Sequence, residues 1–194
     1  ERFGDEGADA LKHIDEAVPG GLKIPNLRRL GWEKATHIHP EGVKVVGSYG
    51  RMREISNGKD TTSGHWEFMG NPVENPFPVF YDAFPQDLLD TFTKKTGHGW
   101  LGNEVASGTE IIARLGPEHI QTKKPIVYTS ADSVFQIAAH TDVIPLEELY
   151  RICEVTRKEV CVGPYEVGRV IARPFVGEPG NFVRTGDRQD YSRL

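Results

Sequence analysis

Pro125-Ile126-Val127-Tyr128-Thr129-Ser130-Ala131-Asp132-Ser133-Val134-Phe135-Gln136-Ile137-Ala138 is the stretch whose reading decides the fold. Pro125 to Thr129, a short apolar run rich in β-branched and aromatic residues, predicts a buried strand, and Ser133 to Ala138 predicts another. Upstream, Ser107-Gly108-Thr109-Glu110 has the capping-box spacing ahead of Ile111-Ile112, which predicts a helix start. Gln86 to Lys95 reads as a helix with Pro85 at its first turn. Downstream, Pro145 opens a helix through Leu146, Leu149, Tyr150 and Cys153. Val167 to Val176 reads as a further strand closed by Gly177-Glu178-Pro179-Gly180. Helices and strands interleave without an internal repeat, so this part of the chain is an α/β or α+β domain.

The first part reads differently. Ala10, Leu11, Ile14, Ala17 and Val18 recur at helical spacing between Ala8 and Val18, and Gly20-Gly21 supplies the stop. Pro25 opens a short second helix that Gly31 ends, and Val43 to Tyr49 reads as a strand. Pro72, Pro76, Pro78 and Pro85 then fall close together, which favours a stiff connector and a domain boundary. The expected division is a first domain over 1–75, a linker over 76–85 and a second domain over 86–190.

The whole chain has 194 residues, 38% of them apolar, with 21 glycines and 13 prolines, a folded but loop-rich composition. A net charge of −5 argues against a broad nucleic-acid or anionic-membrane footprint. No apolar run reaches the ~18 residues of a membrane span, and no signal peptide opens the chain, so a soluble, cytoplasmic protein is expected. Cys153 and Cys161 are too few for a disulfide framework, which suits a reducing compartment.

Three segments carry candidate chemistry. In Gly58-Lys59-Asp60-Thr61-Thr62-Ser63-Gly64-His65-Trp66, three successive hydroxyls arrive where a helix should begin, and free amides and the helix dipole there favour a phosphate. A threonine at that place could hold a phosphoryl group with Lys59 offsetting charge; an ordinary N-cap uses the same residue types. Arg169, Arg173, Arg184 and Arg188 surround a glycine-rich turn and suit a phosphate through their guanidinium forks. Surface ion pairs with Glu166, Glu178 and Asp187 would account for them as well. Thr129 to Ser133 ends a strand in small polar side chains that could bond sugar hydroxyls or simply make a turn. His37 and His39, and likewise His140 with Asp142, have no third ligand nearby and read as structural.

Taken together, these segments resemble one family. Gly58 to Glu67 is similar to the active-site loop of bacterial phosphopentomutases, and Tyr128 to His140 and Gly168 to Phe182 are similar to stretches of that family's cap domain. The similarity extends from Phe3-Gly4-Asp5 to Asp190-Tyr191. One departure is Gly186-Asp187-Arg188-Gln189-Asp190, where the family carries Asn before the arginine and His after it.

The resemblance implies a partial alkaline-phosphatase-like core followed by an α/β (α+β) cap, with two divalent metal ions, usually manganese, in the complete enzyme. It implies interconversion of ribose 1-phosphate and ribose 5-phosphate, and of their deoxyribose equivalents, with a bisphosphate as activator and neither nucleic acid nor membrane as partner. Thr61 would carry the phosphoryl group, beside Lys59, Asp60, Thr62 and His65. Ser130, Asp132, Val134, Arg169, Ile171, Arg173 and Arg184 would contact substrate. The chain opens at Glu1 without a methionine and is expected to correspond to about the N-terminal half of such an enzyme, lacking the metal ligands and inactive alone. A cofactor-independent phosphoglycerate mutase and a non-catalytic phosphosugar-binding module are the competing readings.

Overall fold

The computed structural model describes residues 4, 6–130 and 132–193. Glu1-Arg2-Phe3 and Asp5, where the family resemblance begins, Ala131 of the polar turn, and Leu194 lie outside the described residues. The chain divides into two compact units, 1–54 and 55–194.

Unit 1 contains three short helices: α1 (Ala10–Ala17), α2 (Pro25–Leu30) and α3 (Trp32–Ala35). Asp9 caps α1 by accepting the Lys12 N–H at 3.0 Å, and Gly31 ends α2 in the left-handed conformation. The strand expected over Val43 to Tyr49 does not form. Among the described residues its main-chain anchor is Val46 N–H donating to the Arg29 carbonyl, and Val46 and Tyr49 are exposed. A β-branched run needs a neighbouring strand to complete its ladder, and none pairs with it among the described residues.

What organises this unit is a buried guanidinium. Arg28 donates to the Glu33 carboxylate at 3.0 Å and to the carbonyls of His39 and Leu22 at 2.7 and 3.2 Å. The Asp15 carboxylate accepts from Leu22 and His39 N–H groups, and Glu33 from those of Glu41 and Gly42. These backbone donors hold both carboxyls below their ordinary range against the opposing effect of burial, with Arg28 adding to the shift.

Unit 2 opens with α4 (Thr61–Phe68) and continues through α5 (Gln86–Thr96), β1 (Leu101–Val105), α6 (Gly108–Thr122), β2 (Ile126–Thr129), β3 (Val134–His140) and α7 (Leu146–Val155), followed by β4 (Arg169–Glu178), β5 (Asn181–Arg184) and β6 (Gln189–Ser192). The fold is α/β, as expected. The six strands form one mixed sheet in the order β1-β2-β3-β4, with β1 parallel to β2 and β3 parallel to β4. Both β5 and β6 pair antiparallel with β4: β6 with Arg169–Ala172 and β5 with Phe175–Glu178. The partner on this edge therefore changes at Arg173 and Pro174. Proline suits that gap because it has no N–H to donate.

Alternation along the strands sorts two cores. Val127, Phe135, Ile137, Ala139, Val170 and Ala172 face α5 and α7. Ile126, Tyr128, Ala138 and Phe175 face α6 through Ile111 and Ile112. The predicted helices and the strands β2, β3 and β4 stand where the periodicity placed them, with two differences. The Ser107 side chain makes no capping bond although α6 starts beside it. β4 runs on through Gly177-Glu178, so the Pro179-Gly180 turn makes a hairpin with β5 instead of ending the sheet. β1 escapes sequence reading because Gly102 and Asn103 both take positive φ and shift its register. β5 and β6 escape it because they are short and largely exposed edge strands.

His119 and His140 lock this second core. His119 is buried, accepts the His140 N–H on Nε2 at 2.9 Å and places Nδ1 2.7 Å from the Lys124 carbonyl, so it is neutral with its proton on Nδ1. Burial foremost, and the nearby His140, hold its pKa below the usual imidazole value. Protonation is thus easier in the unfolded chain, and the stability contributed by neutral His119 is complete above the unfolded pKa near 6.5 and lost as pH falls towards the lowered folded value. Urea unfolding should show a midpoint that falls from pH 7.5 to pH 5.5, with a slope of up to about 1.4 kcal/mol per pH unit from this group. The His119→Gln variant should show a flatter profile; an equally steep one would assign the pH dependence elsewhere.

Candidate functional site

The hydroxyl loop folds into the N-terminus of α4, and the three hydroxyls acquire different environments. Asp60 is the N-cap: one carboxylate oxygen accepts the Ser63 N–H at 3.0 Å and the other its hydroxyl at 2.6 Å, and both residues are buried. Gly58 makes this closure possible, since a Cβ there would lie 2.4 Å from Ser63 Oγ. Thr62 Oγ1 lies against Gly168, where a Cβ would come within 3.0 Å of it. Thr61 alone of the three is exposed, at the first position of the helix. His65 Nδ1 lies 2.6 Å from the Thr61 carbonyl, and Lys59 is exposed just outside the turn.

The polar turn after β2 meets this helix. Asp132 accepts the Thr61 N–H at 3.2 Å and the Ser133 N–H at 3.0 Å on one oxygen, and Arg169 donates to its other oxygen at 3.0 Å. Burial pushes the Asp132 carboxyl up, but these donors, the Thr61 side chain and the Arg169 charge outweigh it and hold the group below its ordinary value. Arg169 also pairs with Asp190 at 3.2 Å. The Ser133 hydroxyl latches the turn by donating to the Pro78 carbonyl and accepting the Gly168 N–H. Val134 and Ile171, both buried, lie beside it, with Val134 registered against Arg169 and Ile171 against Gln136 and Asp190. Ser130 is half-buried at the end of β2.

A second concavity lies where β4 changes edge partner. A cleft of about 400 Å³ is lined by Arg173, Pro174, Val183, Arg184, Thr185 and Arg188. Arg173 donates to the neutral Gln136 side chain at 2.9 Å, and Arg188 pairs with Asp190. The carboxylates facing these arginines are Asp132 and Asp190 rather than Glu166, Glu178 and Asp187; Glu166 instead pairs with Arg193. The four side chains do not converge on one point. Arg169 joins the Thr61–Asp132 end, whereas Arg173 and Arg184 line the cleft.

Gln136 and Asp190 were not singled out from sequence. Gln136 left a signal, an amide in an otherwise apolar buried strand; Asp190 left none, because only the β4–β6 register brings it between Arg169 and Arg188. His37 bonds Asp9, and His140 Nε2 meets the Gly177 carbonyl, so both act structurally. Among the described residues, no group of three or more His, Cys, Asp or Glu side chains could hold a metal ion. These residues do not fit the implied metal pair. No helix among them is long and apolar enough to cross a membrane.

No protein-family model matches the chain. Over 193 residues it is 54% identical to a phosphopentomutase of Caldanaerobacter subterraneus subsp. tengcongensis, covering 98% of this chain and 48% of that protein. A phosphopentomutase of Carboxydothermus hydrogenoformans is 54% identical over 195 residues, with 98% and 49% covered. One from Desulfitobacterium hafniense is 56% identical over 193 residues, again with 98% and 49% covered. The chain is thus a homologue of the phosphopentomutases and spans about half the length of the relatives it matches.

Proposed function

We infer that this chain is the phosphoryl-accepting and sugar-binding part of a phosphopentomutase, which interconverts ribose 1-phosphate and ribose 5-phosphate or their deoxy forms in the cytoplasm. The observation that carries this reading is the sorting of three adjacent hydroxyls at one helix N-terminus. Ser63 is consumed by the cap, Thr62 lies against Gly168, and Thr61 is presented to solvent beside the Asp132–Arg169 pair. In this reading Thr61 Oγ1 forms a bond to phosphorus as the bond from phosphorus to a bisphosphate's sugar oxygen breaks, the threonine proton passing to that oxygen; the Thr61 O–P bond then breaks as a hydroxyl oxygen of the incoming monophosphate takes the phosphoryl group and returns its proton to Thr61. The α4 amides and dipole favour the added charge, with Lys59 beside them and Asp60 holding the helix start. Asp132, already held ionised, is placed to accept a sugar hydroxyl, with Ser130, Val134 and Ile171 shaping the floor. Arg173 and Arg184 hold the substrate's other phosphate.

The implied metal pair would be held outside the described residues. The three-part division, a partial core over 1–75, a linker over 76–85 and a cap over 86–190, belongs to the same proposal. Mass spectrometry of a full-length enzyme carrying this segment, incubated with a pentose or hexose bisphosphate, should find one phosphate on Thr61. Phosphate on Thr62 or Ser63 would overturn the assignment.

A further inference from the structure

Gln136 is a buried amide that the sheet itself does not need. It is 5% exposed within β3, between Phe135 and Ile137, where a leucine would pack without the cost of desolvating an amide. Register places it in a polar row on the α6 side of the sheet. Tyr128 of β2 lies opposite Gln136, and Arg173 of β4 lies opposite Ala138, two residues further along β3, so the three side chains share one face. Across that row Gln136 Oε1 accepts the Arg173 Nε–H at 2.9 Å. Burial raises the Tyr128 phenol pKa, and Arg173 counters that rise through its charge and a side-chain hydrogen bond.

The neighbouring arginines are held differently. Arg169 and Arg188 pair with carboxylates, those of Asp132 and Asp190. Arg173, half-buried at the cleft wall, meets a neutral amide and a neutral phenol, while Asp190 acts on it only at a distance through its charge. Burial foremost lowers the Arg173 pKa, yet a guanidinium stays charged near neutral pH. A carboxylate would be the stronger acceptor for its Nε–H. An amide of the same length fixes the same donor and leaves the positive charge whole.

We propose that Gln136 is a positioning residue for anion capture: it fixes the Arg173 side chain at the cleft wall and, being neutral, leaves the guanidinium charge undiminished for a substrate phosphate. Arg173 sits where β4 has no edge partner, between the β6 pairing that stops at Ala172 and the β5 pairing that starts at Phe175. Its placement therefore depends on the bond across to β3. This role rests on the reading that Arg173 holds substrate phosphate, and adds the reason why an amide rather than a carboxylate holds that arginine.

The test is a titration of the chain with inorganic phosphate, followed through the NMR resonance of Arg173 Nε–H, for the parent, Gln136→Glu and Gln136→Met. In the parent this proton should exchange slowly with water and its resonance should shift as phosphate is added. Gln136→Glu keeps the acceptor but adds a negative charge, so it should bind phosphate about tenfold more weakly, the worth of one charge-assisted hydrogen bond. Gln136→Met, similar in length, removes the acceptor; the Nε–H should exchange faster and phosphate affinity should fall with it. A merely structural amide would leave affinity unchanged in Gln136→Glu, because the bond survives there. Parent-like affinity in Gln136→Glu, parent-like Nε–H exchange in Gln136→Met, or an Arg173 resonance that phosphate does not move in the parent would each overturn the proposal. Either variant decides the question if the other fails to fold. Weakened phosphate binding by the variants, with Thr61 never phosphorylated in a full-length enzyme, would remove the mutase reading and leave the role of Gln136 standing. Thr61 phosphorylated there, with parent-like affinity in Gln136→Glu, would do the reverse.

Discussion

Thr61→Ala in a full-length enzyme carrying this segment should lower mutase turnover by at least about 10³-fold, the scale of losing a covalent nucleophile. The loss should fall on kcat, because the arginines and Asp132 proposed to hold substrate are untouched and the Michaelis constant has no comparable reason to change. The fold should survive. Thr61 is exposed, alanine is tolerated at a first helical position, and the cap is made by Asp60 and Ser63. Thr61→Ser should retain measurable turnover because it keeps a hydroxyl at the same place. Steady-state kinetics with ribose 1-phosphate checks both variants. Full activity in Thr61→Ala would remove the phosphothreonine mechanism altogether.

Arg28→Met should unfold unit 1 while leaving the sheet of unit 2 intact. Methionine fills much of the arginine's volume, yet it leaves the buried Glu33 and Asp15 carboxylates without their shared cation. It also removes the donors to the Leu22 and His39 carbonyls. Removing one member of a buried ion cluster costs on the order of 3 kcal/mol. That is about a hundredfold rise in the open population at 1.4 kcal/mol per decade. Hydrogen exchange should show it at the amides that those carboxylates accept, Leu22, His39, Glu41 and Gly42. Arg28→Lys should be intermediate, since an ammonium keeps the charge but cannot span the same acceptors. Unchanged exchange at these amides would mean that Ile38 and the helix contacts suffice to hold the unit.

Short-range chemistry was legible in the residues alone. The Asp60-Thr61-Thr62-Ser63 run announced a helix start because an N-cap is a local bond between residues three apart. The strands at Ile126 and Val134 announced themselves because continuous apolar runs have only a buried place to go. The same locality explains the failure at Val43 to Tyr49. Its β-branched residues carry strand propensity, but a ladder needs a partner that the run itself cannot specify.

Sequence by itself determined the α/β class, the positions of the main helices and of β2, β3 and β4, and the residue types able to handle a phosphate. These depend on periodicity, capping and side-chain chemistry, all of which act over a few residues. Only the tertiary structure decided which hydroxyl is exposed and which arginines share a cleft. Ser63 is withdrawn by its bond to Asp60, and Thr61 is left beside Asp132, a residue seventy-one positions away. Arg169 is claimed by Asp132 and Asp190, while Arg173 and Arg184 line the cleft at the break in β4's edge pairing. The physical reason is register. One residue's slip in the pairing of β4 with β6 would turn Asp190 to the other face of the sheet, and no local preference sets that pairing.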